Sequence, residues 1–277
     1  MTAMTTAKMN GSPGEIARLL EIMAKLRDPV DGCPWDQVQT NQTIVPYTIE
    51  EAYEVAEAIA EEDTEALKDE LGDLLFQVVF YAQMAAEAGQ FTFADIVEGI
   101  ADKMVRRHPH VFGGASVEDA EAQTTAWEVH KKHEREARAR ARGDLPSALD
   151  GVPLALPALE RALKLQKRAA RVGFDWPDAA GALEKLQEEV AELAAETGAD
   201  RPDDAAITDE LGDVLFSWVN LARFQGIDPE RALRTTNAKF VRRFHAIEAA
   251  LAAEGRSPEN ANLAELETLW QQTKAQE

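Results

Sequence analysis

Two tandem copies of an all-α helical bundle, with about five helices each, are the fold class this sequence predicts. Three observations carry the expectation. Apolar residues recur at three- and four-residue spacing through ten segments. No stretch alternates apolar and polar residues with β-branched enrichment, so no strand is expected. A block of the first half also returns in the second. Asp69-Glu70-Leu71-Gly72-Asp73-Leu74-Leu75-Phe76 recurs as Asp209-Glu210-Leu211-Gly212-Asp213-Val214-Leu215-Phe216, with one Leu-to-Val change.

The expected helices of the first half are 14–27, 47–62, 64–88, 93–107 and 117–141. Gly89, Pro109 and Gly113-Gly114 supply the turn chemistry between the later ones. The second half supplies 157–172, 179–197, 203–225, 228–254 and 262–275, broken at Gly198, Pro202, Gly226 and Pro229. Further blocks match across the halves. Glu50 to Glu54 answers to Glu188 to Glu192, Lys103 to Arg107 answers to Lys239 to Arg243, and Trp127 and Trp270 end each half. The expected layout is a tail over 1–13, a first repeat over 14–133, a linker over 134–156 and a second repeat over 157–277. Pro146, Pro153 and Pro157 cannot share one helix, which places the linker there.

Composition narrows the partners. Apolar residues make up 45% and charged residues 29%, a balance that can bury a core. Asp and Glu number 50 against 29 Lys and Arg, a formal charge of -21. Such a field repels polyanions, so no nucleic acid and no membrane surface is expected as partner. A phosphate ligand then needs a bridging cation and a local basic cluster. Cys33 is the single cysteine and forms no intrachain disulfide, and the opening residues hold no apolar signal segment. A cytoplasmic location is expected.

The chemistry is concentrated in carboxylates at helical spacing. Glu189 and Glu192 share one helical face, as do Glu210 and Asp213 on the next helix. If those helices pack antiparallel, four carboxylates converge. They cannot all stay ionised without a counter-charge, so some protonate or a divalent cation binds. All-oxygen ligation suits Mg²⁺ or Mn²⁺ better than zinc. The first repeat keeps the same quartet as Glu51, Glu54, Glu70 and Asp73. Gly212, between Glu210 and Asp213, is costly inside a helix, which suggests close approach by a ligand or another helix.

The ordered set of Glu189-xx-Glu192, Glu210-xx-Asp213 and Lys239-Phe-Val-Arg242-Arg243, seen twice and preceded by Cys33-Pro-Trp-Asp36, resembles the MazG family of nucleoside triphosphate pyrophosphohydrolases. The resemblance extends from about Leu19 to Gln276. It implies tandem MazG-type bundles, cleavage of NTP and water to NMP and pyrophosphate with broad NTP specificity, Mg²⁺ dependence with Mn²⁺ as substitute, and a homodimer. The implied role is nucleotide-pool housekeeping or stress-related control. Carried over by position, Glu189, Glu192, Glu210 and Asp213 are the implied metal ligands of a catalytic second repeat. Lys185, Lys239, Arg242, Arg243 and Trp270 are the implied nucleotide contacts. Residues Ala206 to Asp209 offer no lysine where some members have one. Glu188 or Glu189 is the candidate to accept the water proton. The first repeat has Tyr47 where the second has Lys185, so it is expected to be structural or weakly active.

Other readings are weaker. His108, His110, His130 and His133 lack a Cys partner and are expected as exposed helix-end residues. Glu134 and Glu136 interrupt the basic run from Lys131 to Arg142, which favours a solvated helix. Trp35 and Trp176 hold similar places in each repeat, and either can stack on a base or pack in a core. A ferritin-like di-metal oxidase wants Glu-xx-His pairs that are missing here. The rival class is a non-enzymatic helical regulator or adaptor with vestigial metal sites.

Overall fold

The structure is a computed structural model that describes residues 13–116 and 119–276. Residues 1–12 of the expected tail and the start of the expected helix at 117 lie outside the described residues, and Pro13 opens the first helix. Twelve α-helices and one 3-10 turn make up the regular structure, with no strand among the described residues. The chain divides into two compact units, one ending at Trp127 and one beginning at Glu128.

The first unit contains α1 (Pro13–Leu26), α2 (Pro34–Val38), α3 (Asn41–Ala60), α4 (Thr64–Glu87), α5 (Phe93–Arg107), α6 (Pro109–Phe112) and the start of α7 (Ala120–Arg142). The second holds the rest of α7, then α8 (Ala158–Ala170), α9 (Ala179–Thr197), α10 (Asp204–Phe224), α11 (Pro229–Ala253) and α12 (Leu263–Ala275). The unit boundary falls inside α7, so Glu134 to Arg142 of the expected linker are helical. The 3-10 turn lies at Pro258–Asn260.

Side-chain caps set the helix starts. Asp63 accepts from the amides of Glu65 and Ala66 at the start of α4, Asp178 accepts from those of Ala180 and Gly181 at the start of α9, and Asp203 accepts from that of Ala205 at the start of α10. Each such cap contributes about 1 kcal/mol. The connections before α4 and α10 are short, so each turns the chain back along the preceding helix. Thus α3 packs along α4, and α9 along α10.

Prolines account for the differences from the sequence expectation. Helix α3 begins at Asn41, not 47, and carries Pro46 inside it. A capping box between Thr40 and Thr43 starts the helix. Burial of Ile44, at 1% exposure, adds about 1.5–3 kcal/mol. Together these outweigh the one backbone hydrogen bond that Pro46 cannot make. Pro34 and Pro109 start short helices rather than breaking longer ones, since the first helical position needs no amide donor.

In the first unit Met23, Ile44, Val79, Phe80 and Met84 form the buried core, with Leu19, Leu20, Phe76, Tyr81 and Phe93 packed around it. In the second, Leu163, Ala182, Val219, Ala222, Ile247 and Leu251 are buried. Val79 and Val219 hold corresponding places and are both fully buried. Other apolar side chains stay exposed. On the carboxylate-bearing helices these include Ile49, Tyr53, Leu71 and Leu75 in the first unit and Val190, Leu211, Leu215 and Phe216 in the second.

Candidate active site and its counterpart

In the second unit the antiparallel α9–α10 pair brings three of the four expected carboxylates together. Glu189 lies eight residues before the end of α9, and Asp213 nine after the start of α10. Such mirrored positions face one another across an antiparallel pair. One carboxylate oxygen each from Glu189, Glu210 and Asp213 can lie within 4.8 Å of one another. In the first unit Glu51, Glu70 and Asp73 do the same. Glu54 and Glu192 stand outside these 4.8 Å groups, yet within electrostatic reach of Glu70 and Glu210.

Mutual repulsion and desolvation leave their mark on protonation. Glu210 is held above the usual carboxylate range, first by desolvation and then by the charges of Glu192, Glu189, Asp213 and Asp209. Glu70 is raised by desolvation, with Glu54, Asp73 and Asp69 adding to it. Glu51 is raised by desolvation and by Asp73 and Glu54, against a lowering hydrogen bond from Gln77. Three convergent oxygens with unfavourable like charge are a donor set that fits a hard divalent cation. The residues present therefore fit Mg²⁺ or Mn²⁺, with Glu189, Glu210 and Asp213 as the inner set.

The two clusters differ in what meets the deepest carboxylate. Glu189 is 5% exposed. The Lys185 ammonium, one turn earlier on α9, lies 2.7 Å from Glu189 and 2.8 Å from Glu188. These two carboxylates push the lysine further up than its usual range. In the first unit Gln77 takes that part, donating from Nε2 to Glu51 Oε1 at 3.2 Å. Gln77 is buried and its Oε1 has no hydrogen-bond partner. Sequence reasoning passed over Gln77, although its place four residues after Asp73 puts it on the ligand face of α4.

Lys239, Arg242 and Arg243 lie on α11. Trp270 on α12 packs against that helix, with Phe240 at 5.4 Å between ring centroids and the Arg243 guanidinium 5.3 Å from the ring. Glu188 is exposed beside Lys185. At Gly72 and Gly212 an added Cβ would meet nothing within 4 Å among the described residues, so no described helix of their own unit is what those glycines accommodate. His108 and His110 are half-buried rather than exposed. They lie where α5 gives way to α6, with His108 Nδ1 2.7 Å from the Met104 carbonyl oxygen and Trp127 against its ring. A polar cleft of the first unit is lined by Arg27, Gln37, Gln83 and Glu87, and Arg27 is already bound to Glu87 at 2.7 Å.

Known proteins place this arrangement. The model of the MazG nucleotide pyrophosphohydrolase domain matches residues 39–112 and 179–247, together just over half of the chain. Both carboxylate clusters lie inside the matched segments. The chain is 51% identical over 263 residues to a nucleoside triphosphate pyrophosphohydrolase of Escherichia coli K12, covering 95% of this chain and 98% of that protein. It is 42% identical over 257 residues to the nucleoside triphosphate pyrophosphohydrolase/pyrophosphatase MazG of Thermotoga maritima, covering 92% and 94%. It is also 45% identical over 263 residues to the uncharacterized protein YabN of Bacillus subtilis, covering 95% of this chain and 52% of that protein. With two helical repeats, two carboxylate clusters and this match along nearly its whole length, the chain belongs to the MazG family.

Proposed function

We propose that this chain is a divalent-cation-dependent nucleoside triphosphate pyrophosphohydrolase of broad NTP specificity, cleaving NTP to NMP and pyrophosphate at its second repeat. The observation that carries the reading is the convergence of Glu189, Glu210 and Asp213 with Lys185 beside them. The names of the similar proteins support the reaction type. Nucleotide-pool housekeeping or stress-related control in the cytoplasm is the role that fits such an activity.

Glu189, Glu210 and Asp213 would hold Mg²⁺ or Mn²⁺, with Glu192 as the outer carboxylate. The cation, when bound, neutralises phosphate oxygens and lowers the pKa of a water. The protein does the rest by position. Lys185, held beside the cluster by Glu188 and Glu189, would be placed to pair with phosphate. Lys239, Arg242 and Arg243 on α11 meet further phosphate charge, and Trp270 lies beside them. Glu188, exposed and one turn from Lys185, can accept a water proton, as can Glu189. Phosphoryl transfer requires mainly such positioning and charge stabilisation.

The first repeat, with Tyr47 for Lys185 and Gln77 on Glu51, has a structural or weakly active part in this reading, its cluster of Glu51, Glu54, Glu70 and Asp73 being a second cation site. A homodimer covers the exposed apolar side chains of the carboxylate-bearing helices and the open faces at Gly72 and Gly212. Light scattering at micromolar concentration should give twice the chain mass, and an active monomer would overturn the dimer.

Chromatographic product analysis with purified protein, several NTPs and Mg²⁺ or Mn²⁺ tests the reaction. NMP and pyrophosphate are expected. NDP with orthophosphate would refute the reaction type, and absence of any cation-dependent turnover would favour the adaptor.

A further inference from the structure

The first carboxylate cluster carries a group that its counterpart lacks. Glu70, Asp73 and Gln77 are separated by three and four residues, so they form one stripe along α4. Gln77 is the most buried member of that stripe, 7% exposed, and donates from Nε2 to Glu51 Oε1 of α3 at 3.2 Å. The other end of the same amide, Oε1, is buried and has no hydrogen-bond partner among the described residues. A buried carbonyl oxygen without a donor is costly, and folded proteins rarely leave one so.

The neighbours of this amide are carboxylates, which accept and do not donate when ionised. A cation answers both needs, because it binds the lone pair of an amide oxygen and the charge of the carboxylates. Half a turn of the terminal amide exchanges the places of Oε1 and Nε2. The oxygen then stands where the nitrogen does now, 3.2 Å from Glu51 Oε1. Adjacent oxygens on one octahedral cation lie about 2.8–3.7 Å apart at the bond lengths of Mg²⁺ and Ca²⁺. Two acceptor oxygens at that separation repel one another unless a cation joins them. Side-chain amide carbonyls are ordinary ligands of hard cations.

The second repeat has no such group. Ser217 stands in the place of Gln77 and is also buried, but its hydroxyl is one bond from Cβ where the amide oxygen is three. Glu189 is met instead by Lys185 from its own helix. We propose that Gln77 Oε1 is the fourth protein ligand of a resident divalent cation in the first repeat, beside Glu51, Glu70 and Asp73, held without nucleotide. The inference rests on the reading of this cluster as a cation site and specifies its donor set. Ligands drawn from both helices let the cation tie α3 to α4, a part suited to a structural repeat.

The test uses the full chain carrying Glu210→Ala and Asp213→Ala, which disable the second cluster, and titrates it calorimetrically with Mn²⁺ alone. One Mn²⁺ per chain is expected. Adding Gln77→Leu, which keeps the bulk of the side chain and removes the oxygen, should weaken Mn²⁺ binding about tenfold or more. Gln77→Glu keeps an oxygen at that place and should bind at least as tightly as the parent. Thermal unfolding in chelator and in Mn²⁺ separates a ligand from a packing residue. The rise in Tm that Mn²⁺ confers should shrink in Gln77→Leu and persist in Gln77→Glu. Unchanged Mn²⁺ affinity in Gln77→Leu, or a tenfold loss in Gln77→Glu, would overturn the ligand role. Absence of Mn²⁺ uptake by the parent would instead remove the first-repeat cation site itself, and Gln77 as its ligand with it.

Discussion

The two carboxylate clusters are near copies in backbone and differ in the group that meets their deepest member. Glu51 is met by the neutral amide of Gln77 from the neighbouring helix, and Glu189 by the Lys185 ammonium from its own helix. The cause reaches beyond the clusters. In the first repeat Trp35, Tyr47, Phe76 and Phe80 form an aromatic corner. In the second, Lys185 and Asn220 take the places of Tyr47 and Phe80, and Arg223 binds both Asp175 and Asn220. The first repeat spends that corner on packing. The second sets the Lys185 ammonium against its carboxylates. The acidic face is kept in both repeats, and the proposed division of labour between them rests on this difference at its rim.

Substitution of the proposed ligands themselves breaks the comparison most directly. Glu192→Ala or Asp213→Ala should lower kcat/KM for NTP by at least about 10²–10³-fold, the range for losing one group that holds transition-state charge. Glu54→Ala or Asp73→Ala should leave most of the activity. Dead first-repeat variants beside active second-repeat variants would put the reaction in the other half, and equal partial losses would mean two working sites. Circular dichroism on each variant separates folding from catalysis.

A smaller effect is expected from the rim. Lys185→Met removes the ammonium that is paired with Glu188 and Glu189, and it should raise KM for NTP about tenfold, as expected for one charge-assisted hydrogen bond. Tyr47→Phe, which keeps the ring against Trp35, should leave KM unchanged. A Lys185→Met enzyme with wild-type KM would erase the functional distinction drawn between the rims.

The smallest expected effect is in protons. Glu51 and Glu70 are both held above the usual carboxylate range, as is Glu210 in the second cluster. A raised carboxyl keeps its proton at mildly acidic pH, and a bound cation expels it. Cation affinity should therefore rise with pH just above the usual carboxylate range, with a fraction of a proton released per cation. Calorimetry in buffers of different ionisation enthalpy measures this. Asp213→Ala, which keeps the first cluster, should release more than Asp73→Ala, which keeps the second; the opposite order would contradict the assigned desolvation of Glu51.

Much of the architecture is legible in the sequence because amphipathic periodicity and repetition are local properties of the chain. Ten expected helices match helices of the structure, with starts and ends set by Asp caps, Gly and Pro. The exceptions have a common reason. A proline marks a helix start as readily as a helix break, and only the surrounding caps and buried residues such as Ile44 decide which. His108 shows the same limit, since its ring packs against Trp127, a residue distant in sequence, and His110 packs on His108 in turn.

For the site, the spacing of Glu189 with Glu192 and of Glu210 with Asp213 already places acidic pairs on single helical faces. Spacing within one helix says nothing about the depth of packing between two. Tertiary structure selects Glu189, Glu210 and Asp213 for the inner group and leaves Glu192 at its edge. It also sets Lys185 against Glu189, Gln77 against Glu51 and Trp176 against Gly181. Helical period is written residue by residue in the chain. Contact across helices depends on rotation, register and the side chains of a partner element, and those exist only once the bundle has packed.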